Sequence, residues 1–226
     1  KLSSKSITMR AFARKPLSFA LMLAVFPAAA ATINVAPGLV AIGADGQCSL
    51  VEALENATNN AATHADCVAG SGDDTINLAA VSTYTVTARH NGQYGVNGLP
   101  LISDNVTIAG NGSSIVRSSA TAFRFFAIAP GARLTMSSVT LQNGLAVGGA
   151  GGNSGGDDGG GGGGGGGLGG AIFSRGELYL TGVSFVGNSA QGGLGGNGSI
   201  GGGDDHGGAG GGGGLGGNGG GDTSDG

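Results

Sequence analysis

Residues 134–141 read LTMSSVTL, and residues 178–185 read LYLTGVSF. Both fit the pattern L-x-[ML]-[ST]-x-V-[ST]-[LF] at an offset of 44 residues, and Gly131 and Gly176 stand shortly before them. Within each block apolar residues alternate with hydroxyl or aromatic ones, the period of a half-buried strand. A block that returns after some tens of residues signals a solenoid, in which each coil buries its apolar face only against the next. In that reading Leu134, Met136, Val139 and Leu141 are buried, as are Leu178, Leu180, Val183 and Phe185. The phase resets at the Ser137-Ser138 and Thr181-Gly182 corners. The two blocks then stack as parallel strands.

Outward from these blocks the chain continues in short strands. They are expected near Thr75–Leu78, Tyr84–Thr87, Val106–Ala109, Ser114–Arg117, Phe123–Ile128, Ala171–Ser174 and around the two blocks, with Gly110-Asn111-Gly112 and Asn143-Gly144 as breakers. One helical pattern interrupts the series. Ser49 precedes Glu52 by the capping-box spacing, and Leu50, Ala53, Leu54 and Ala57 fall on one face. The expected class is all-β: a solenoid of stacked parallel strands with a short N-terminal capping helix and glycine-rich loops.

The glycines divide the chain. Of 53, 41 lie in residues 148–226. A half-glycine segment has few side chains to bury and loses much backbone entropy on ordering, so a mobile loop projecting from the stack is expected there. The five prolines and the lack of a strict Gly-X-Y triplet exclude collagen.

Charge is uneven as well. Lys1, Lys5, Arg10, Arg14 and Lys15 open the chain; beyond residue 31 there are five arginines, no lysine and all fourteen acidic residues, a balance of −9. Such a chain offers no electrostatic footprint to nucleic acid or to anionic lipid. Three basic residues, the ten-residue apolar run Leu17–Phe26, Pro27 and the alanines to Ala31 follow the order of a secretory signal peptide. Cleavage after Ala30 or Ala31 fits equally well, and Met9 can be the true start. The apolar run is shorter than the ~20 residues that span a bilayer, so no membrane span is expected. In an exported chain Cys48 and Cys67 are most simply a disulfide, worth ~3 kcal/mol in the chain-entropy model.

A family resemblance runs through these residues, from Cys48 to about Ala190. CSLVEALENATNN, then DC, AGSGDDTINL, LPLISDNVTIAGNG and GARLTMSSVTLQNG, resembles the "CSLREA" N-terminal region of bacterial surface proteins, with Val51 where that motif has Arg. Gly169, Gly170, Ala171 and Ile172, followed by Phe185 and Asn188, are similar to the GGAI and FxxN pair of the polymorphic outer-membrane-protein repeat. The resemblance implies a right-handed parallel β-helix of the pectin-lyase-like type. It also implies export to the cell surface or medium, usually as part of a longer chain.

The expected organisation is a signal peptide over 1–31, a cap over 32–72, coils over 73–147, a glycine-rich loop over 148–168, a further coil over 169–190 and a glycine-rich loop over 191–226, where the chain is taken as truncated. The expected role is structural or adhesive, toward glycans or proteins of host or environmental surfaces. The competing reading is a polysaccharide lyase or glycosidase with its catalytic coils beyond residue 226. Within this chain Asp73, Asp74, Asp104, His90, Arg117 and Arg124 are the candidates for such chemistry, but none forms a clustered signature, and no catalytic residue or cofactor is assigned. Calcium is the remaining cofactor to weigh. Gly70 to Ile76 resembles one copy of a calcium-binding nonapeptide, and Asp157-Asp158 and Asp204-Asp205 stand in glycine tracts; a solvated acidic loop is the favoured reading. His64, His90 and His206 read as scattered surface residues.

Overall fold

The computed structural model describes residues 29–154, 159–199 and 210–221. The expected export signal lies outside the described residues except for Ala29–Ala31. Strand β1 (Thr32–Asn34) is followed by helix α1 (Leu50–Asn59), then by β2 (Asp74–Asn77), β3 (Thr83–Val86), β4 (Val106–Arg117), β5 (Phe126–Ile128), β6 (Arg133–Gln142) and β7 (Leu145–Val147). Beyond the first glycine tract come β8 (Ile172–Ser174), β9 (Glu177–Thr181), β10 (Ser184–Val186) and β11 (Ser189–Gln191).

Every named strand pair is parallel. Seven strands form one sheet in the order β1-β2-β4-β6-β10, with β3 beside β4 and β9 beside β6; β5 pairs β8, and β7 pairs β11, as two small sheets. This corrects the expected all-β, right-handed β-helix solenoid: the architecture is a mixed α/β-type parallel sheet, and its first crossover carries α1. The physical reason lies in the connections. Thr32 stands opposite Thr75, Thr75 opposite Thr107, Thr107 opposite Thr135, and Thr135 opposite Tyr179. Those steps vary between 28 and 44 residues. The repeat in the sequence is therefore the spacing of one pair of neighbouring strands, and no fixed period builds the rest.

That pair is read correctly in register. Leu134 lies opposite Leu178, Met136 opposite Leu180 and Leu141 opposite Phe185. Its corners fall where expected too, with Ser138 and Gly182 both at positive φ, 50° and 61°. Burial differs between the two members. Leu134, Met136, Val139 and Leu141 are buried, whereas Leu178 and Val183 are half-buried and Leu180 and Phe185 are 39% and 49% exposed. One ladder explains the difference. Ile33, Ile76, Ile108 and Met136 stack down the sheet without any exposure, and Leu180 is the next rung, with no strand beyond it among the described residues. The ladder is covered at its first end, where α1 packs against β1 and β2, and open at its last, where β9 and β10 each have one strand beside them.

Helix α1 forms for the reasons its sequence gives. The Ser49 hydroxyl accepts the Glu52 N–H while Glu52 Oε2 accepts the Ser49 N–H at 2.9 Å, so two donors of the first turn are satisfied reciprocally. Leu50, Ala53, Leu54 and Ala57 are wholly buried. Asn60 closes the helix in the left-handed region at φ 50°. The Cys48–Cys67 disulfide ties the start of the helix to the segment that follows it, with a Cα separation of 4.7 Å. Glu52 reaches back to the Gly43 N–H as well, so the cap also fixes the chain before it. Among the described residues no helix is long and apolar enough to cross a membrane.

The glycine tracts overturn a second expectation. Instead of a loop, their described parts interlock. Gly148, Gly151 and Ser154 donate to the carbonyls of Gln191, Leu194 and Asn197, at distances of 2.8–2.9 Å. Gly193, Gly196 and Ser199 donate to Gly165, Gly162 and Gly159, and Gly210 and Gly213 donate to Gly160 and Gly163. Gly211 and Gly214 donate to Gly220 and Gly217. Each series advances by three residues. Most of these bonds join one segment to another, as in a polyproline II-type backbone with three residues per turn, and those from Gly211 and Gly214 join the two arms of 210–221.

Only glycine allows such closeness. A Cβ on Gly149 would come 1.7 Å from the Gly217 oxygen, one on Gly152 2.0 Å from Gly220 oxygen, and one on Gly162 2.1 Å from Gly211 oxygen. The few side chains that interrupt the tracts stand at the third position and face out: Asn153, Leu194, Asn197, Leu215 and Asn218 are exposed.

Candidate functional site

Where β5, β8 and β7 meet the base of this bundle, one charged residue is enclosed. Arg124 lies just before β5, its backbone N–H bonded to the Val96 oxygen and its carbonyl accepting the Gly98 N–H at 2.8 Å. These bonds aim its side chain inward. The residue is 2% exposed, and its Nε and Nη1 have no hydrogen-bond partner among the described residues. Burial pushes the guanidinium pKa down from its ordinary value. Its carbon stands 5.2 Å over the centre of the Phe173 ring. Tyr94 adjoins Phe173 at 6.2 Å between ring centres, and the exposed Arg175 covers Tyr94 at 5.0 Å. Cations and rings therefore alternate, each guanidinium on the negative face of a ring.

Gly95 makes room for the arrangement. Its φ of +106° suits glycine, and a Cβ there would meet Arg124 Nη2 at 2.2 Å. Beside Arg124 opens a cavity of about 250 Å³, bounded also by Val96, Thr121, Ala122, Leu145 and Asn218.

A second cluster gathers on α1. Glu55 Oε2 meets His64 Nε2 and Glu55 Oε1 meets His90 Nε2, the latter at 3.1 Å. The histidines expected to be scattered are thus two-thirds of one cluster; His206 lies outside the described residues. His90 also borders a mainly apolar groove of about 400 Å³ between residues 38–42 and 85–90. A cleft of about 490 Å³ runs along the bundle between Asn153, Leu194, Asn197 and Asn218.

The other residues singled out in the sequence have structural partners. Asp73 pairs with Arg133 at 2.6 Å and accepts from Asn105. Asp74, fully buried, accepts from the backbone N–H groups of Ala31 and Ser71. Asp104 accepts from Asn60, and Arg117 donates to the carbonyls of Asn143, Ser119 and Thr121. The structure brings none of these to Arg124 or to His90.

The calcium-like stretch Gly70–Ile76 is therefore occupied by bonds within the protein, while Asp157-Asp158 and Asp204-Asp205 lie outside the described residues. Among the described residues no three His, Cys, Asp or Glu side chains converge to hold a metal ion. The motif glycines 169 and 170 form a turn at the base of the bundle, and Ala171 accepts the N–H groups of Phe125 and Phe126 ahead of β8, which Ile172 opens. Phe185 lies on the open strand β10, and Asn188 clamps the turn before β7, accepting from Gly144 and donating to the Leu141 oxygen.

Sequence reading missed the enclosure of Arg124 because nothing local distinguishes Phe123-Arg124-Phe125 from a strand with an outward arginine. Its flanking phenylalanines are both fully buried, and by strand alternation they predict an outward arginine between them. Set against known protein families, curated proteins and solved structures, the chain matches none.

Proposed function

We propose that this chain is exported, secreted or held at a cell surface, and serves a structural and adhesive role, its sheet body carrying a stiff glycine bundle. The observation that carries the reading is the three-residue ladder of hydrogen bonds between the glycine segments. A polyproline II segment rises ~3.1 Å per residue, so residues 148–154 extend roughly 20 Å. Bonding to neighbours makes that length a rigid projection, with Asn and Leu side chains displayed along it. The disulfide over α1 suits an oxidising compartment.

Asp74 supports processing at one of the two bonds that the alanine run leaves open. It is wholly buried, and among the described residues no cationic side chain pairs with it. The Ala31 nitrogen donates to its Oδ1 at 2.7 Å. Cleavage between Ala30 and Ala31 turns that nitrogen into an ammonium, charged at neutral pH, and supplies the missing countercharge.

Expression of the full chain in a bacterium, followed by fractionation and mass spectrometry, tests the reading. The expected product lies outside the cytoplasm, begins at Ala31 and has no free thiol. Cytoplasmic chain with an intact N-terminus and two reactive thiols would overturn export. The adhesive part is tested with beads coated in the purified chain: binding to immobilised surface glycans or proteins above that of albumin-coated beads is expected, and binding equal to albumin would overturn it.

A further inference from the structure

We propose that the open end of the sheet, residues 172–191, is an interface on which a second copy of this chain docks about a two-fold axis. The inference goes beyond the adhesive reading and does not rest on it. Its first support is the state of the edge. None of these 20 residues is buried, and Tyr179, Leu180, Phe185 and Val186 are each 39–55% exposed.

Backbone groups are open there too. The Glu177 N–H donates to the Ala132 oxygen and the Val186 oxygen accepts from Asn143, so both residues face β6. Strand alternation then turns the N–H and C=O groups of Leu178, Leu180 and Phe185 outward. Edges that stay free in folded proteins carry lysine, proline or inward charge, which discourages pairing. Residues 172–191 hold no lysine and no proline, and their only charges are Arg175 and Glu177.

Charge and shape name the occupant. The chain beyond residue 31 has a balance of −9, whereas this end is neutral. Two copies therefore meet here without the repulsion that acts between the rest of their surfaces. The opposite end of the sheet is closed, because α1 packs against β1 and β2 and Ile33 has no exposure. A head-to-tail contact has nothing to dock on. What remains is an end-to-end contact with two-fold symmetry, which stops at two copies. Its extent also suffices, since a stable interface takes roughly 20–30 residues from each partner.

The edge is complementary to itself. A two-fold axis through the Thr181-Gly182 corner lays β9 of one copy antiparallel on β10 of the other. Leu178 then stands opposite Phe185, and Leu180 opposite Val183. Leu178 and Phe185 both turn their backbone groups outward, the condition for a hydrogen-bonded antiparallel pair.

Sedimentation equilibrium of the purified chain tests the proposal. At about 100 µM, well above the micromolar Kd of the weaker interfaces of standard size, a dimer is expected, and its fraction should fall on dilution. Leu180→Lys and Phe185→Asp each put an uncompensated charge into the contact and should weaken dimerisation tenfold or more. Both side chains are partly solvated in the single chain, and if one variant fails to fold the other carries the test. Val81→Asp, at an 84% exposed position in the turn before β3, should leave dimerisation unchanged. Amide exchange at Leu178 and Phe185 should slow as the protein concentration rises.

A monomer at about 100 µM, assembly beyond the dimer, or a dimer of unchanged affinity in either folded variant would overturn the proposal. None of these results touches the export assay or the bead assay, so failure here is distinct from failure of the broader reading.

Discussion

Tyr84 shows how a single buried group sets a pH limit. Its ring is fully buried in the ladder above Ile115, and its hydroxyl oxygen accepts the Ala79 N–H at 2.9 Å. Burial raises its pKa above 10.0, and the Ala79 bond offsets this only in part. Below pH 10 the phenol is neutral in both states, so its contribution is fully present. As pH rises past the unfolded value the unfolded chain ionises first, and stability falls until the folded phenol ionises too. Denaturant unfolding followed between pH 8 and 11 should therefore show a declining limb that is shallower in Tyr84→Phe. At pH 7 the same substitution leaves the Ala79 N–H without its partner and should cost about 1–3 kcal/mol. Cys48→Ser should cost about 2–5 kcal/mol by thermal unfolding, because the bond it removes staples α1 to the chain beyond it. The capping box was legible to the residue, since Ser49 and Glu52 satisfy each other at fixed spacing. Arg124 was not, since its enclosure depends on Gly95 and Phe173, both far from it in sequence.

Among the elements, β6 and its neighbours β9 and β10 give the clearest comparison. Val139 is 2% exposed in the interior strand, and Val183, its counterpart in the repeat, is half-buried at the edge. Val139→Asp should thus destabilise the chain by several kcal/mol, and Val183→Asp by distinctly less, measured by urea unfolding. The alternation of LTM and LYL sufficed to place both strands and their register. It could not tell interior from edge, because that depends on whether another strand follows.

The glycine segments make the opposite case. Side-chain periodicity, the main signal for strands and helices, is nearly absent from them. The trace that remains is the placement of the residues other than glycine: GGLGGN stands at 192–197 and again at 213–218, and GGAGGN at 148–153. A three-residue spacing was therefore visible, with the other residue types at every third position and glycine kept where the backbones touch, as at Gly193, Gly196 and Gly213. Gly162→Ala, whose Cβ would lie 2.1 Å from the Gly211 oxygen, should lower the bundle's stability by about 1–3 kcal/mol or more. Gly163→Ala, with open space around it, should be neutral or slightly stabilising. Thermal unfolding of the two variants side by side separates a packed bundle from a slack tract, in which both would behave alike.

For the molecule as a whole, two kinds of order are joined. The sheet body is held by apolar ladders that end on an open edge, and the bundle by backbone hydrogen bonds with scarcely a side chain between them. The parallel strands were legible because each carries its own alternation. The mixed α/β architecture was not, because the crossovers that set it have unequal lengths and no shared pattern. The stiffness of the bundle is the claim on which the functional reading stands, and amide hydrogen exchange resolved by residue tests it most directly. Gly162 and Gly165 donate to Gly152 and Gly149, whereas Gly163 and Gly164 donate to no backbone oxygen among the described residues. Slow exchange at Gly162 and Gly165 beside fast exchange at Gly163 and Gly164 is the result expected of the interlocked segments. Uniformly fast exchange across residues 159–167, at the rate of an unstructured chain, would contradict it.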